Sequence, residues 1–413
     1  MGKTARDRRP NLRPPKRIAL EEKPSRGRVI LLIVCIIVAV ASISYGVTAL
    51  IRSRDKSGFT EITSSGVDPS VADDFRFFYQ LGDKGGNALY KTLSGLYEDA
   101  CETAYRLFSA EETFDGMSNL ASLSASPNEI MTVDEPLYRA LELLVSSESR
   151  VPYLAPIELH FRSVFYITND IEASEYDIAK NPTLRAYYGE LAAFARDPDA
   201  ISIELLGDCR VRLKVSDEYL AYAEAMELTA LVSFGYFKNA FICDYLAECF
   251  AEAGYVEGYF SSYDGFTRNL DLASERSYSF NLFCRKGNEI DLAASLDTKG
   301  VGALVYLRNY PISAHDDDRI YVFESGATLT EFLDPTDGGS RTATANLVLY
   351  RGDSCAEMIL SASAIWVAET LDEAALSALS CDFIWCVDGE IRCSDENAPI
   401  YDLSSDYRKV KMP

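Results

Sequence analysis

The chain contains little histidine and no cysteine pattern typical of a zinc site. Its 413 residues include two histidines, His160 and His315, and ten cysteines with no CxxC pair. A zinc enzyme or a Ser-His-Asp hydrolase is therefore not expected. One cysteine lies in a long apolar run and nine follow it. Two readings stay open for these nine: buried thiols, or a disulfide among residues such as Cys381, Cys386 and Cys393.

Positive charge is scarce beyond the first 28 residues. The formal net charge is −23, whereas residues 1–28 carry ten Lys or Arg and three acidic residues. The remainder therefore carries about −30. A surface of this sign repels nucleic-acid phosphates and anionic lipid headgroups. Nucleic acid is excluded as a partner, and the folded part is expected to stand away from the membrane surface.

One segment is long and apolar enough to cross a membrane. Residues 29–51, VILLIVCIIVAVASISYGVTALI, carry no charge, and a helix of this length covers a hydrocarbon core of roughly 30 Å. The basic tail over 1–28 predicts a cytoplasmic N-terminus. We therefore expect a single-pass cell-membrane protein whose residues 52–413 are extracytoplasmic. A signal peptide cleaved near residues 39–41 is the alternative.

Residues 52–73 are rich in Ser, Gly and Asp and predict a linker, so the folded domain is expected over 74–413. Strand-like runs such as YSFNLFCRK, GALVYLRNYPI and TANLVLY are separated by turn residues. This mixture predicts an α+β fold with a mostly antiparallel sheet flanked by helices. Apolar three- and four-residue steps predict helices over Leu89–Leu107, Pro136–Ser147 and Cys355–Thr370. Residues 230–254 are predicted to run from a turn into a helix that ends at Gly254.

An acidic turn, TEFLDPTDGGS, follows one of the strand-like runs at Thr330–Ser340. Pro335 fixes φ, Asp334 can bond its own backbone, and either glycine can adopt positive φ. These features predict a β-hairpin tip joining TLTEFL to TANLVLY. A functional loop is the alternative.

A second stretch, SCAEMILSASAIW, places Glu357 and Ser361 four residues apart near the start of a predicted helix. Residues at this spacing share a helix face. A carboxylate, a hydroxyl and a nearby backbone carbonyl are oxygen donors that Mg²⁺ accepts, with phosphates and water completing its shell. Helix-dipole compensation by the glutamate and ordinary packing of the serine form the alternative.

Taken in order, segments from about Phe75 to the C-terminus resemble the ApbE family of FAD:protein FMN transferases. SNLASLS, which starts at Ser118, is similar to the family's Ser-x-x-Ser-x-Leu-Asn. SFGYFKNAFICD is similar to Asp-Leu-Gly-Gly-x-x-Lys-Gly-x-x-x-Asp and keeps Gly235 and Asp244. Lys238 stands next to the position of the family lysine.

Two later segments also resemble the family's motifs. ISAHDDDR is similar to a Thr-Ser-Gly element before Tyr-x-Arg and keeps Ser313 and Arg319. EFLDPTDGG is similar to His-x-x-Asp-Pro-x-Thr-Gly, with Glu331 in the place of the histidine and Asp337 in the place of the threonine.

AEMILS is similar to the family's metal-binding Ala-Asp-x-x-x-Thr. The resemblance implies Glu357 and Ser361 as Mg²⁺ ligands, with the carbonyl of Gly235 or Tyr236 as a third donor. It implies Glu357 or Asp334 as the catalytic base. In the implied reaction FAD is the substrate, FMN moves to a Thr or Ser hydroxyl of a target flavoprotein, and AMP leaves.

The resemblance also implies which residues contact the flavin nucleotide. They are Ser118, Gly235, Tyr236, Lys238, Asp244, Ser313, Arg319, Glu331 and Thr336.

Several departures from the family pattern remove polar groups from ligand-facing positions. Glu331 replaces histidine, Asn239 replaces lysine, Ser233 replaces aspartate, and Tyr153–Ile157 reads YLAPI where the family has Phe-Asp-Pro-Thr. A pocket that loses donors loses catalysis before it loses its fold. Two hypotheses result: an extracytoplasmic FMN transferase, and a catalytically inactive pseudoenzyme that binds flavin or a partner protein.

Overall fold

The computed structural model describes residues 30–31, 34–36, 56–64, 70–83, 86–270, 278–297 and 299–412. Residues 1–55 and 56–413 form two separate units. In the first unit the described residues are helical and exposed. The predicted tail and most of the predicted anchor over 29–51 lie outside the described residues. No helix within the described ranges is long and apolar enough to cross a bilayer.

Helices and strands alternate along the second unit. The helices are α1 (Asn87–Leu107), α2 (Leu120–Ala125), α3 (Glu135–Ser146), α4 (Ala155–Phe161), α5 (Asp170–Ser174), α6 (Pro182–Arg196), α7 (Asp217–Ala225), α8 (Lys238–Glu252), α9 (Cys355–Trp366) and α10 (Glu373–Ser377). The first strands are β1 (Phe59–Ile62), β2 (Phe75–Gln80), β3 (Ile130–Thr132), β4 (Ile201–Leu205), β5 (Arg210–Val215), β6 (Gly258–Ser262), β7 (Phe266–Asn269), β8 (Ser279–Lys286) and β9 (Glu289–Asp297). The later strands are β10 (Ala303–Arg308), β11 (Ile320–Val322), β12 (Thr328–Thr330), β13 (Asn346–Gly352), β14 (Asp382–Val387), β15 (Glu390–Cys393), β16 (Ile400–Tyr401) and β17 (Arg408–Lys411).

The main sheet has the order β1-β2-β6-β7-β10-β13-β14-β15-β17 among the described strands. Its neighbours pair antiparallel, except for the parallel pair of β15 and β17. Smaller sheets join β16-β9-β8, β3-β5-β4 and β11-β12. The predicted α+β class with a mostly antiparallel sheet is therefore confirmed.

The principal core lies between one face of the main sheet and the helices α1, α8 and α9. Apolar residues that alternate along β2 and β6 point to this face, and the rings of Phe77 and Phe260 stack with centroids 4.3 Å apart. Trp366 at the end of α9 is fully buried. This packing fixes the starts of α8 and α9 against the sheet.

A second core covers the opposite face of the same sheet. It packs β8 and β9 against β10, β13 and β14, through residues that include Leu282, Val348 and Ile384. A disulfide joins Cys284 of β8 to Cys386 of β14, with the Cα atoms 6.0 Å apart. Because both faces of β13 and β14 are covered, their sequences are nearly continuous apolar runs.

Two local differences from the sequence analysis concern strand pairing. β1 lies inside the segment predicted as a linker, where it pairs with β2. The hairpin predicted across TEFLDPTDGGS is wrong, because β12 pairs with β11 while β13 pairs with β10 and β14. The turn itself closes an isolated antiparallel bridge between Leu333 and Ser340, with backbone hydrogen bonds such as that from Asp334 N to Gly339 O at 2.9 Å.

Candidate functional site

A cavity of about 560 Å³ opens beside the start of α8. Gly235 and Tyr236 line it, and the 3₁₀ turn Gly235–Phe237 to which they belong leads directly into α8. The tip of the β6–β7 hairpin, the loop before β11 and the end of α4 form its walls. Five of the residues predicted to contact a flavin nucleotide line this principal cavity: Gly235, Tyr236, Lys238, Arg319 and Glu331.

The hairpin tip Tyr263–Gly265 is held rigidly at the cavity. Gly265 has φ +112°, and a Cβ there would lie 2.2 Å from the carbonyl oxygen of Tyr306, so only glycine fits. Asn239, which stands in the family's lysine position, donates to Asp264 Oδ2 at 2.9 Å. The Tyr263 ring stacks on His315 with centroids 3.5 Å apart.

A buried charge network supports the opposite wall. The carboxylate of Asp316 pairs with Arg308, at 2.6 Å, and with Arg319, and it also accepts from the backbone N–H of Ser313. Burial acts to raise the pKa of Asp316, but Arg319 and Arg308 outweigh it and lower that pKa. Arg319 reaches on to Glu331, with Nη1 3.6 Å from Oε1.

Carboxylates dominate the lining of the principal cavity. Arg162 is paired with Glu111 and Glu158, and Arg319 with Asp316 and Glu331. Lys238 forms no ion pair with any residue that the structure describes. The cavity therefore carries a strong excess of negative charge. Its acidic residues are Asp73, Asp74, Glu111, Glu158, Asp264, Asp317, Asp318 and Glu331.

Two of these carboxyls hold their protons unusually firmly. Burial, together with the neighbouring Asp264, raises the pKa of Asp74 to about 6. Burial raises the pKa of Glu331 to about 7, and Asp264, Asp318 and Glu158 act in the same direction against Arg319. Mutual repulsion of carboxylates around a cavity is relieved by protons or by an incoming cation.

Glu357 and Ser361 lie beside a different cavity, of about 510 Å³, between α3 and α9. Both residues are exposed. Ser361 Oγ donates to the carbonyl oxygen of Met358 at 2.8 Å. Pro335, at the tip of the acidic turn, lines this second cavity with them. The turn and the predicted metal pair are thus neighbours, although their flanking strands are not paired.

The two cavities share no lining residue. The 3₁₀ turn Val151–Leu154, which overlaps the segment that departs from Phe-Asp-Pro-Thr, begins next to both. Val151 lines the second cavity, and a Cβ at Gly235 in the principal cavity would lie 3.4 Å from its Cγ1. Ser233 N donates a hydrogen bond to Pro152 O at 2.9 Å, which connects this turn to the segment that leads to Gly235. The structure therefore separates Glu357 and Ser361 from the predicted residues that line the principal cavity.

Asp334, the other predicted base, is buried in the turn. Its Oδ1 accepts from Thr336 N at 2.7 Å, and its Oδ2 lies 3.3 Å from Arg341 Nη1. Gly338 has φ +76°, and a Cβ there would meet Ile157 Cδ1 at 2.5 Å. The turn is thus packed against α4, and the Asp334 carboxylate already has hydrogen-bond and ionic partners.

Asp244 caps α9 from its position in α8. It accepts from Ser354 Oγ at 2.7 Å, Cys355 N at 3.0 Å and Ala356 N at 2.9 Å, and it pairs with Arg268 at 3.1 Å. With Glu357 it lines a third cavity of about 340 Å³.

Three further predicted contacts lie outside the lining of these cavities. Ser313 caps the short helical turn Ala314–Asp316, Thr336 is exposed in the acidic turn, and Ser118 precedes α2. Ser124, in the family's asparagine position, accepts a hydrogen bond from Leu231 N through its Oγ. This bond holds α2 against the segment that precedes Ser233. The nucleotide-contact roles of all nine predicted residues remain predictions, whether or not the residue lines a cavity.

The donors implied for Mg²⁺ do not converge. Glu357 and Ser361 face the second cavity, whereas Gly235 and Tyr236 line the principal one. Within the described ranges no group of three or more His, Cys, Asp or Glu side chains is arranged to hold a metal ion. One carboxylate with one hydroxyl is a weak donor set for Mg²⁺ without ligand phosphates. This arrangement does not fit a preformed metal site.

Sequence reasoning missed most of the carboxylates of the principal cavity. Glu158 and Arg162 are four residues apart, a helical ion-pair spacing that the sequence displays. Asp264 and Gly265 form an Asp-Gly hairpin signal between two strand-like runs. Asp74 offers no such signal. It meets Tyr263 because β2 pairs with β6, and its backbone carbonyl oxygen accepts a hydrogen bond from Tyr263 N at 3.1 Å.

No protein-family model and no curated protein sequence matches this chain. Solved structures do match it. The ApbE protein from Thermotoga maritima has a TM-score of 0.54 at 13% identity, covering 84% of this chain and 97% of that one. Flavin transferase ApbE from Vibrio cholerae has a TM-score of 0.51 at 11% identity, covering 86% of this chain and 98% of that one. This chain therefore has the ApbE-like fold, carried by a sequence that has diverged far from both proteins.

Proposed function

We propose that the protein keeps the scaffold of a flavin transferase and uses its principal cavity for binding, without transferring FMN. The observation that carries this proposal is the charge of the cavity. Its lining holds eight carboxylic residues against Arg162, Lys238, Arg319 and the imidazole of His315. This proposal is the pseudoenzyme hypothesis in the form in which the bound ligand is a partner protein and not a flavin.

An FAD molecule carries an anionic pyrophosphate, which needs cationic groups or N–H donors around it. Here both arginines of the cavity are already paired with carboxylates. The ammonium of Lys238 forms no ion pair within the described ranges, but its charge already acts on the carboxyl of Asp74. Glu331, in the family's histidine position, repels phosphate when ionised and offers a single O–H donor when protonated. Electrostatics therefore oppose nucleotide binding at this position.

The separation of the metal donors supports the same conclusion. Phosphoryl transfer requires neutralisation of the pyrophosphate and alignment of the attacking hydroxyl. Glu357 lines the second cavity and Gly235 the principal one, the two cavities share no lining residue, and Val151 lies next to both. A ligand in the principal cavity therefore does not contact the predicted Mg²⁺ pair in this arrangement.

FMN transfer remains the second candidate, favoured by one specific observation. Glu357 and Ser361 share an exposed face of α9 next to Pro335, as the resemblance to a metal-binding motif implies. With Mg²⁺ bound, this pair would supply charge neutralisation at a phosphate. Under this candidate FAD is the substrate, and a Thr or Ser of a flavoprotein is the acceptor.

A transfer assay distinguishes the two functions. The purified full-length chain is incubated with FAD, Mg²⁺ and a flavoprotein acceptor, and covalent flavin is measured by mass spectrometry. We expect no adduct, whereas an active flavin transferase given the same reagents modifies the acceptor. An adduct that disappears in Glu357→Ala and Ser361→Ala, and persists in Glu129→Gln on the exposed surface, would establish transfer and overturn the binding function.

We further propose that the cavity faces the extracytoplasmic space, with residues 29–51 as a membrane anchor. Support comes from the basic residues before the apolar segment. The disulfide between Cys284 and Cys386 also supports it, because disulfides persist in oxidising compartments.

A further inference from the structure

We propose that the principal cavity binds the guanidinium of an arginine side chain presented by a partner polypeptide. This inference rests on the proposed binding function and specifies its ligand. The surplus of carboxylates establishes only that a cation is favoured. Further features of the cavity identify the kind of cation and the kind of molecule that carries it.

Two buried oxygen atoms in the lining have no hydrogen-bond partner among the described residues, which indicates that a ligand with N–H or O–H groups binds there. Tyr236 lines the cavity and is only 5% exposed, yet its hydroxyl makes no hydrogen bond with any described residue. Asp264 Oδ1 is likewise buried and without a hydrogen bond within the described ranges. Burial raises the pKa of Tyr236, and the carboxylates of Asp334 and Glu331 contribute, so the hydroxyl lies near the acidic wall. Buried polar atoms are rarely left without a partner.

A guanidinium suits these two oxygen atoms better than a compact ion does. It presents several N–H donors in a planar fork, which can serve a carboxylate and a phenol oxygen together. A bare metal ion needs converging ligands, and the described residues provide no such cluster. Aromatic side chains line the same cavity and offer faces or edges to a planar cation: Phe161, Phe165, Tyr166, Tyr236 and Tyr263.

The mouth of the cavity indicates that the cation belongs to a polypeptide. Tyr166 lines the cavity while remaining 74% exposed, and Ile171 on the neighbouring α5 is 82% exposed. The position of α5 is held by Asp170, which accepts from Tyr321 Oη and Glu324 N at 2.9 Å. An exposed aromatic side chain in the lining of a charged recess, followed five residues later by an exposed isoleucine, resembles an interface in which one buried anchor residue is flanked by apolar contacts.

The first test measures charge recognition on the full-length protein. The probes are the tripeptide amides acetyl-Ala-Arg-Ala and acetyl-Ala-citrulline-Ala, which differ only in the charged group, titrated by calorimetry at low salt. We expect the arginine probe to bind about tenfold more tightly than the citrulline probe. Asp264→Asn and Glu331→Gln should each reduce this preference, while Glu129→Gln, which removes an exposed charge outside the cavity, should leave it unchanged.

Equal binding of the two probes, or equal effects of the cavity and control variants, would overturn the proposal. Thermal unfolding of each variant verifies that it is folded, and the two cavity variants provide independent tests. The apolar rim is tested with Tyr166→Ser, which should weaken a longer arginine peptide with flanking leucines more than the tripeptide. An equal effect on both peptides would exclude the rim from the interface. Failure of arginine recognition leaves the transfer assay unaffected, so the two proposals fail separately.

Discussion

At the scale of single residues, Glu331 shows how one substitution changes the character of the cavity. It stands where the resembled family has histidine, and its carboxylate lies between Arg319 and the other acids of the wall. Burial raises its pKa to about 7. A histidine there would add an N–H donor and, when protonated, a positive charge, whereas glutamate adds one more anion when ionised.

This raised pKa predicts a pH-dependent stability. An unfolded glutamate loses its proton near pH 4.5, whereas the folded Glu331 keeps it until about pH 7. The stability that this proton contributes is present below pH 4.5 and is lost as the pH rises through 7. In Glu331→Gln the free energy of unfolding should match wild type near pH 4.5 and exceed it by about 1–3 kcal/mol at pH 8. Urea unfolding at both pH values measures this difference.

The exposed Glu129→Gln serves as the control, because it removes one acidic group without touching the cavity. Its effect on unfolding should be within about 0.5 kcal/mol at either pH. If Glu331→Gln shifts stability equally at both pH values, the proton on Glu331 is not responsible.

At the scale of elements, the cap of α9 by Asp244 joins two helices and a strand. The carboxylate accepts three hydrogen bonds from Ser354, Cys355 and Ala356 and pairs with Arg268 of β7. These contacts satisfy N–H groups at the start of α9 that have no partner within the helix. They also set the position of Glu357, one residue later, beside the second and third cavities.

Removing this cap should be costly. Asp244→Ala leaves two backbone N–H groups and a half-buried arginine without their acceptor, so we expect a loss of about 2–4 kcal/mol in the free energy of unfolding. Glu252→Ala, at an exposed position of the same helix α8, should change it by less than about 0.5 kcal/mol. Chemical unfolding of both variants tests the cap, and similar losses in the two would contradict it.

At the scale of the whole molecule, the proposed topology predicts where a protease can act. Protease added to intact cells should remove the folded unit over 56–413 and leave a short fragment that contains the apolar segment. An antibody against a C-terminal tag detects the loss on an immunoblot. A cytoplasmic protein followed in the same cells should stay intact until the membrane is permeabilised. A folded unit that survives until permeabilisation would refute the topology.

The sequence by itself determined the fold class and the principal helices. The helix predicted from Leu89 is α1, that over Pro136–Ser147 is α3, and Cys355–Thr370 contains α9. Local periodicity is enough for such elements, because one apolar face must be buried whatever lies opposite. The order of degenerate motifs was enough to indicate the ApbE-like fold.

The tertiary structure decided which residues share a cavity. Gly235, Arg319 and Glu331 meet in one recess, whereas Glu357 and Ser361 meet Pro335 in another. The acidic wall was not visible in the sequence, because Asp74, Glu158 and Asp264 come from segments far apart in the chain. Strand partners are likewise chosen by distant segments competing for the same sheet edges, so the acidic turn joins β12 and β13 without pairing them. Local sequence determines an element, whereas the charge of a cavity depends on all the elements that surround it.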